Sequence, residues 1–320
     1  MNGLGRKLAL GLVLGVVVVV VMSVASDARA LGACLGAFDW PLYAAVLAIT
    51  VAGYSVRFVK WHAYLRVLGH RPPVADSLLV FLAGMSMAAT PGTLGELIKA
   101  VLLRDRSGVP AADTAAVVIA DRATDVLALV VLSASGALAT QYGGVVLGLT
   151  LVLVAVFIAV ASSDRLSAAA LGLVRRMPKG EVIAPKLEAL RRATVALVRP
   201  GPLALATALS VVAWAGECYG LHLIVGGLPG TSPDPAATNF VFSFATLFGA
   251  VSMLPGGLGV AEGSMAGLLH GVFHVVPDLA TATAATLLVR FATLWFGVLV
   301  GFVAWAVLRA RPPVVAADGR

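Results

Sequence analysis

Ten ionisable side chains lie inside otherwise apolar stretches of this chain: Arg57, Lys60, Glu96, Lys99, Asp121, Arg122, Asp125, Glu217, Glu262 and Arg290. Each costs about 2.5–3.5 kcal/mol at the centre of a lipid-spanning helix, so all ten need partners or a wet cavity. Five are basic and five acidic, so they are able to neutralise one another. Their spacing suggests pairs. Glu96 and Lys99 are i,i+3; Asp121 and Asp125 are i,i+4, with Arg122 i,i+3 from Asp125. The chemistry this favours is binding. Arg122, Arg290 and Lys99 would hold a phosphate, while Glu96, Glu262, Asp121, Asp125 and Glu217 position them or carry protons. The competing reading makes Glu96, Glu262, Arg122 and Arg290 structural ion pairs. Arg57 and Lys60 lie nearer a span end, where snorkelling to the interface explains them.

Two matching breaks frame these charges. One is Ser86-Met87-Ala88-Ala89-Thr90-Pro91-Gly92-Thr93-Leu94-Gly95-Glu96; the other is Ser252-Met253-Leu254-Pro255-Gly256-Gly257-Leu258-Gly259-Val260-Ala261-Glu262. Each is followed by an arginine deep in a later apolar segment, Arg122 or Arg290. Paired broken helices with buried charge are the pattern of translocating membrane proteins. Gly92-Thr93 and Gly256-Gly257 are expected to start new half-helices, whose free N–H groups and positive dipole ends attract anions.

The elements that must carry the breaks are apolar helices. The chain is 60% hydrophobic and 12% charged, with mean hydropathy +0.98. Continuous apolar runs recur from end to end, which predicts an all-α polytopic membrane protein and disfavours a barrel. Candidate spans are 8–24, 41–63, 113–139, 145–162, 202–226 and 280–308. Two further segments, 75–103 and 237–276, contain the breaks. The first 30 residues also fit a secretory signal ending at Ala28-Arg29-Ala30, but the polar gap before Ala30 is short, so a retained helix is preferred. The net charge of +7 is explained by topology without nucleic acid.

Charge placement sets orientation. If the stretches before residue 8, 63–74, 104–112, 163–200 and the tail after 308 are cytoplasmic, they hold 17 of the 23 Lys and Arg residues. Both termini are then cytoplasmic, in a cytoplasmic (inner) membrane. Segment 75–103 must enter and return from the inside, turning at Pro91-Gly92, and segment 237–276 from the outside, turning at Pro255-Gly256-Gly257. The expected fold is one membrane domain over 1–320. About six transmembrane helices and two re-entrant hairpins form an inverted-topology repeat, with units near 41–139 and 202–308. In the basic loop 163–200, Leu187, Leu190, Leu197 and Val198 recur at helical spacing, which suits either an interfacial helix on anionic headgroups or a solvated loop.

Other chemistry is weaker. His270, His274 and Asp278 could share a helix face for a metal, but no further ligand is evident, so neither a metal nor a cofactor is expected. Cys34 and Cys218 lack metal-ligand spacing and fall in different segments.

Several of these motifs together resemble a known family, the integral-membrane proteins related to the membrane domain of lysylphosphatidylglycerol synthetase/flippase. The residues that carry the resemblance are Arg57-Phe58-Val59-Lys60-Trp61, Pro91-Gly92-x-x-Gly95-Glu96-x-x-Lys99, Asp121-Arg122-x-x-Asp125, Pro255-Gly256-Gly257-x-Gly259-x-x-Glu262, and Arg290. The resemblance implies lipid translocation, or a membrane partner of lipid-linked glycosylation. The family's two-domain synthetases carry a soluble acyltransferase domain after the membrane part. The sequence ends at Arg320, so lysyl transfer is not carried over and no catalytic residue is expected.

The expected function is translocation of an anionic lipid headgroup between leaflets, from a phospholipid, an aminoacyl lipid or a polyprenyl phosphate. The expected substrate-binding set is Gly92, Thr93, Glu96, Lys99, Asp121, Arg122, Asp125, Glu217, Gly256, Gly257, Glu262 and Arg290. A coupling proton or cation and a glycosyltransferase or synthetase partner are the associations considered. The alternatives are a secondary transporter of a small soluble anion, an intramembrane enzyme using Glu96 or Asp121 as a base, and an accessory subunit of lipid-linked glycosylation.

Overall fold

The computed structural model describes residues 2–88, 90, 95–137, 148 and 180–311, and every regular element among them is helical. In chain order these are α1 (Asn2–Ala25), α2 (Ala28–Gly36), α3 (Trp40–Val67), α4 (Val74–Met85), α5 (Ile98–Ser107), α6 (Ala111–Ala137), α7 (Gly180–Leu197), α8 (Pro200–Gly226), α9 (Pro235–Val251), α10 (Val260–Gly267), α11 (Leu279–Arg290) and α12 (Phe296–Ala310). A π turn, Leu268–Val272, extends α10, and another, Phe291–Trp295, joins α11 to α12. Local chemistry sets several ends. Proline near the first position opens α3, α8 and α9. The carboxylates of Asp234 and Asp278 accept backbone N–H bonds at the starts of α9 and α11. Gly108, at φ 68°, ends α5 in the left-handed conformation.

Among the described residues, three helices are long and apolar enough to cross a membrane: α3, α8 and the continuous run Leu279–Ala310. The pair α1–α2, bent by 98° at its break, makes a fourth candidate. The protein is therefore a multi-pass, all-α membrane protein. Helix α6 has 27 residues, about 40 Å at ~1.5 Å per residue, but its middle holds Asp121, Arg122 and Asp125. Charge is what separates it from the apolar spans. The expected span 145–162 lies outside the described residues apart from Gly148, which is helical.

The first hairpin has short limbs, α4 and α5, which pack on each other; the second has α9 and α10, which do likewise. Packing then crosses between the two halves. Helix α4 lies along α12, α9 lies along α6, and α3 packs most extensively on α8. The contact of α4 with α12 is close: a Cβ on Gly301 would stand 2.2 Å from the Ser86 backbone nitrogen.

Two apolar clusters form. One gathers Trp61, Tyr64, Phe81, Leu103, Val117, Leu197 and Leu308. The other gathers Val46, Leu129, Leu132, Leu221, Phe242, Met265 and Leu288. Along α6 the first cluster ends at Ala120 and the second begins at Ala128. The charged residues 121, 122 and 125 occupy the layer between them.

Helix α7 occupies the later part of the basic stretch 163–200. Ala184, Ala193 and Leu197 are buried, and the helix packs against α6 and α3. Of the regularly spaced apolar residues Leu197 is buried and Leu187, Leu190 and Val198 are half-buried, while Arg192 and Arg199 are exposed. Residues 163–179 lie outside the described residues.

Candidate functional site

The buried charges from five helices and two hairpin tips converge on the layer between the apolar clusters. Arg57 and Lys60 come from α3, Lys99 from α5, Asp121, Arg122 and Asp125 from α6, Glu217 from α8, and Arg290 from α11. Glu96 sits in the turn leading into α5, and Glu262 in the first turn of α10. Eight of the ten are buried; Arg57 and Arg122 are partly so.

Lys60 anchors the α6 carboxylates. Its Nζ stands 2.7 Å from Asp125 Oδ1 and 2.7 Å from Asp121 Oδ1, and it donates to Ser210 Oγ on α8 at 2.7 Å. The contact with Asp121 Oδ1 is an ion contact whose angles do not make a hydrogen bond. On the other side of these carboxylates, Arg122 lies 2.9 Å from Asp121, 3.2 Å from Asp125 and 3.7 Å from Glu96. Glu96 also accepts from Lys99 at 2.9 Å. The tail of Lys99 passes over Gly84, where any Cβ would meet it at 2.0 Å.

Arg57 bridges the halves. It donates to Glu217 at 2.6 Å, lies 3.8 Å from Asp125, and rests on the Trp214 ring at 4.1 Å. The cation–π contact and the ion pair use different surfaces of one planar group, which arginine allows and lysine does not.

The second tip is closed on itself. Arg290 Nε lies 2.5 Å from Glu262 Oε1, and its NH2 donates to the Gly256 carbonyl at 2.6 Å. Glu262 Oε2 accepts the Gly259 N–H at 2.7 Å. Gly256, Gly257 and Gly259 all have positive φ. Gly257 also faces the backbone of Gly249 so closely that a Cβ would stand 3.0 Å away.

A cavity of about 340 Å³ opens on this layer. Its charged lining is Arg57, Glu96, Lys99, Asp121, Arg122, Asp125, Glu217 and Arg290, and Gly256 and Gly257 border it at the second tip. Tyr54, Phe81, Met85, Leu129 and Phe242 supply apolar wall. Its lining also includes Met253 and Leu254, which are 63% and 42% exposed. Four lining side chains carry buried donors with no hydrogen-bond partner: Arg57 Nε, Arg122 Nε, Trp214 Nε1 and Thr246 Oγ1.

Several sequence expectations change here. Gly92 and Thr93 lie outside the described residues. Gly256 and Gly257 do not start the α-helix; they form a single 3-10 turn, and α10 begins at Val260 with Gly259 as its cap. The N–H of that cap is taken by Glu262. Snorkelling does not describe Lys60, which is 1% exposed and points into the protein. Nor does it describe Arg57, which lines the cavity. The i+3 and i+4 spacings on α6 gave no clue to either, because their partners come from another helix. Trp214 and Ser210 were missed for the same reason. His270, His274 and Asp278 form no joint site; Asp278 caps α11 instead, and no group of three candidate metal ligands occurs among the described residues. The other predicted residues all meet at the cavity, with Glu262 one step behind Arg290.

Two comparisons bear on this arrangement. The profile of a family described as the lysylphosphatidylglycerol synthase TM region matches residues 8–301. A protein described as a UPF0104 membrane protein, from Methanothermobacter thermautotrophicus, is 38% identical over 93 residues. That alignment covers 29% of this chain and 27% of the relative, so the chain spans about a quarter of the protein it matches.

Proposed function

The chain belongs to the lysylphosphatidylglycerol synthase transmembrane-region family, and on that footing we propose that it carries an anionic lipid headgroup across the cytoplasmic membrane. The observation that supports this most is the cavity itself. Its walls hold buried charge and unpartnered donors, as an oxygen-rich anion requires. Its lining at Met253 and Leu254 is apolar and exposed, as contact with acyl chains requires. A headgroup would occupy the charged layer while its tails stay in lipid. Arg122 is the leading phosphate contact, since a third of its side chain is exposed and its Nε has no partner. Lys99 and Arg57 flank it. The carboxylates orient these cations, and the role is carriage without bond-making.

The architecture proposed with this function is an inverted repeat of six spans and two hairpins, with both termini cytoplasmic. Support comes from the packing. If α3, α4, α5 and α6 exchange with α8, α9, α10 and α11–α12, the contact of α4 with α12 maps onto that of α9 with α6, and the α3–α8 contact maps onto itself. Two hairpins entering from opposite faces would meet near the membrane centre, where the charges lie.

The test is reconstitution in liposomes with fluorescent phosphatidylglycerol, phosphatidate or polyprenyl phosphate, scored by protection from dithionite. Wild type is expected to move at least one of these. Arg122→Ala is expected to lose on the order of ten- to a hundredfold in rate, the loss of a charged hydrogen bond to the headgroup. Competition by a water-soluble anion, with no lipid moved, would instead establish a small-anion transporter.

A further inference from the structure

We propose that headgroup entry is coupled to protonation of Glu217, which frees Arg57 to bind the phosphate; this rests on the headgroup carriage proposed above. The argument begins with charge balance. The ten side chains of the layer comprise Arg57, Lys60, Lys99, Arg122 and Arg290 against five carboxylates, so the layer is neutral when all are ionised. A phosphate monoanion arriving alone would leave a net negative charge in a poorly solvated layer, which is costly. A proton taken up with it keeps the sum at zero.

The geometry selects which carboxylate takes that proton. Asp121 is held by Lys60 and Arg122. Asp125 is held by Lys60, Arg122, Arg57 and the Ser210 hydroxyl. Glu96 has Lys99 and Arg122. Glu262 has Arg290 and the Gly259 N–H, and its loss would open the helix cap. Of the five carboxylates in the cluster, Glu217 alone has a single ion-pair partner and no second hydrogen bond: Arg57 at 2.6 Å. It also lines the cavity.

The surroundings make the exchange local. Facing Glu217 are Arg57 and Tyr54 from α3, Asp125 and Arg122 from α6, and Arg290 from α11. Helix α9, which also packs on α8, has no titratable residue. Cys218 neighbours it on α8 itself. When Glu217 accepts a proton, Arg57 is still seated on the Trp214 ring at 4.1 Å and still faces Asp125 at 3.8 Å. The guanidinium therefore stays over the ring while the whole plane pivots to carry its NH2 from carboxylate to phosphate oxygen. The neutral acid becomes a donor to the same phosphate. No covalent bond changes except O–H formation on Glu217, and the reverse step returns the proton on the other side.

The experiment uses the full chain in liposomes with fluorescent phosphatidylglycerol and pyranine in the lumen, with potential clamped by potassium and valinomycin. Lipid transfer in wild type is expected to rise by up to about tenfold per pH unit of gradient, following proton availability, and luminal pyranine is expected to report protons moving with the lipid. Glu217→Gln, checked for monodispersity, is expected to move lipid without any response to the gradient; Glu217→Asp restores the response. Wild-type transfer that ignores the pH gradient, or follows a sodium gradient instead, overturns the coupling and leaves headgroup carriage standing. So does lipid movement with no pyranine signal, a reading that does not depend on a variant folding. A Gln variant that tracks the gradient as wild type does moves the proton off Glu217. If wild type moves no anionic lipid under any gradient, the headgroup reading falls and this inference falls with it.

Discussion

The two hairpin tips share Pro-Gly, then Leu and Gly, but place their glutamates at different offsets. Glu262 comes three residues after Gly259, and Glu96 comes immediately after Gly95. Three is the spacing that lets a side chain fold back on the cap N–H. Glu262 does so, and its other oxygen is left for Arg290. Glu96 is too close to reach back, and the Gly95 N–H is taken instead by Thr90 Oγ1 at 3.0 Å. Both oxygens of Glu96 are thereby released from capping, and it turns to Lys99 and Arg122. The third helices differ in the same sense. Arg122 stands between Asp121 and Asp125, whereas Arg290 has Val289 and Thr293 at those positions. One tip is a closed clamp. The other is a spread of charges, part of it open to the cavity. Under the proposed function the two tips divide labour, one fixing the frame and the other left free to bind.

The sharpest way to break this comparison is to remove each arginine in turn. Arg290→Ala leaves Glu262 buried and unpaired, and frees the Gly256 carbonyl. The expected loss is about 3–5 kcal/mol of stability, read as a large fall in thermal midpoint in detergent. Arg122→Ala is expected to cost about 1 kcal/mol or less, because its side chain is 34% exposed and Lys60 still holds both aspartates. Its loss should show in lipid transfer. Equal destabilisation by both would mean that both tips are clamps. Next in size is Gly257→Ala, which forces a Cβ onto φ 67° and against Gly249. A cost of about 1–3 kcal/mol is expected, again measured by thermal unfolding.

How far the sequence reveals this depends on the distance over which each interaction acts. The long helices, the two breaks and the family motifs are legible because apolar runs, prolines and glycines act locally. The cluster itself was legible as a list, since buried charge stands out in an apolar chain. Its wiring was not. Lys60 belongs to Asp121 and Asp125 through the packing of α3 on α6, and no spacing along one helix encodes that contact. Arg57 seats on Trp214 through the packing of α3 on α8. The tip geometry was half legible: Gly-x-x-Glu reads as a cap only once Gly259, rather than Gly256, is known to end the turn.

The smallest effect probes the same contrast at the entrances of the third helices. Asp113, in the first turn of α6, reaches away from its helix to His70 at 2.7 Å. Asp278 turns inward and accepts the Thr281 N–H at the start of α11, the helix that carries Arg290. That hydrogen bond holds the Asp278 carboxyl below the usual aspartate range. Its contribution is therefore complete above the unfolded-state value and fades as pH falls through the folded one. Asp278→Ala is expected to cost about 0.5–1 kcal/mol near neutrality, the lower part of the N-cap range for an exposed site, and almost nothing once the carboxyl is protonated. Thermal midpoints of wild type and variant should converge on acidification. A gap that persists in acid would assign the effect to packing and not to the cap, and would remove one support from the view that the half carrying Arg290 is the rigid one.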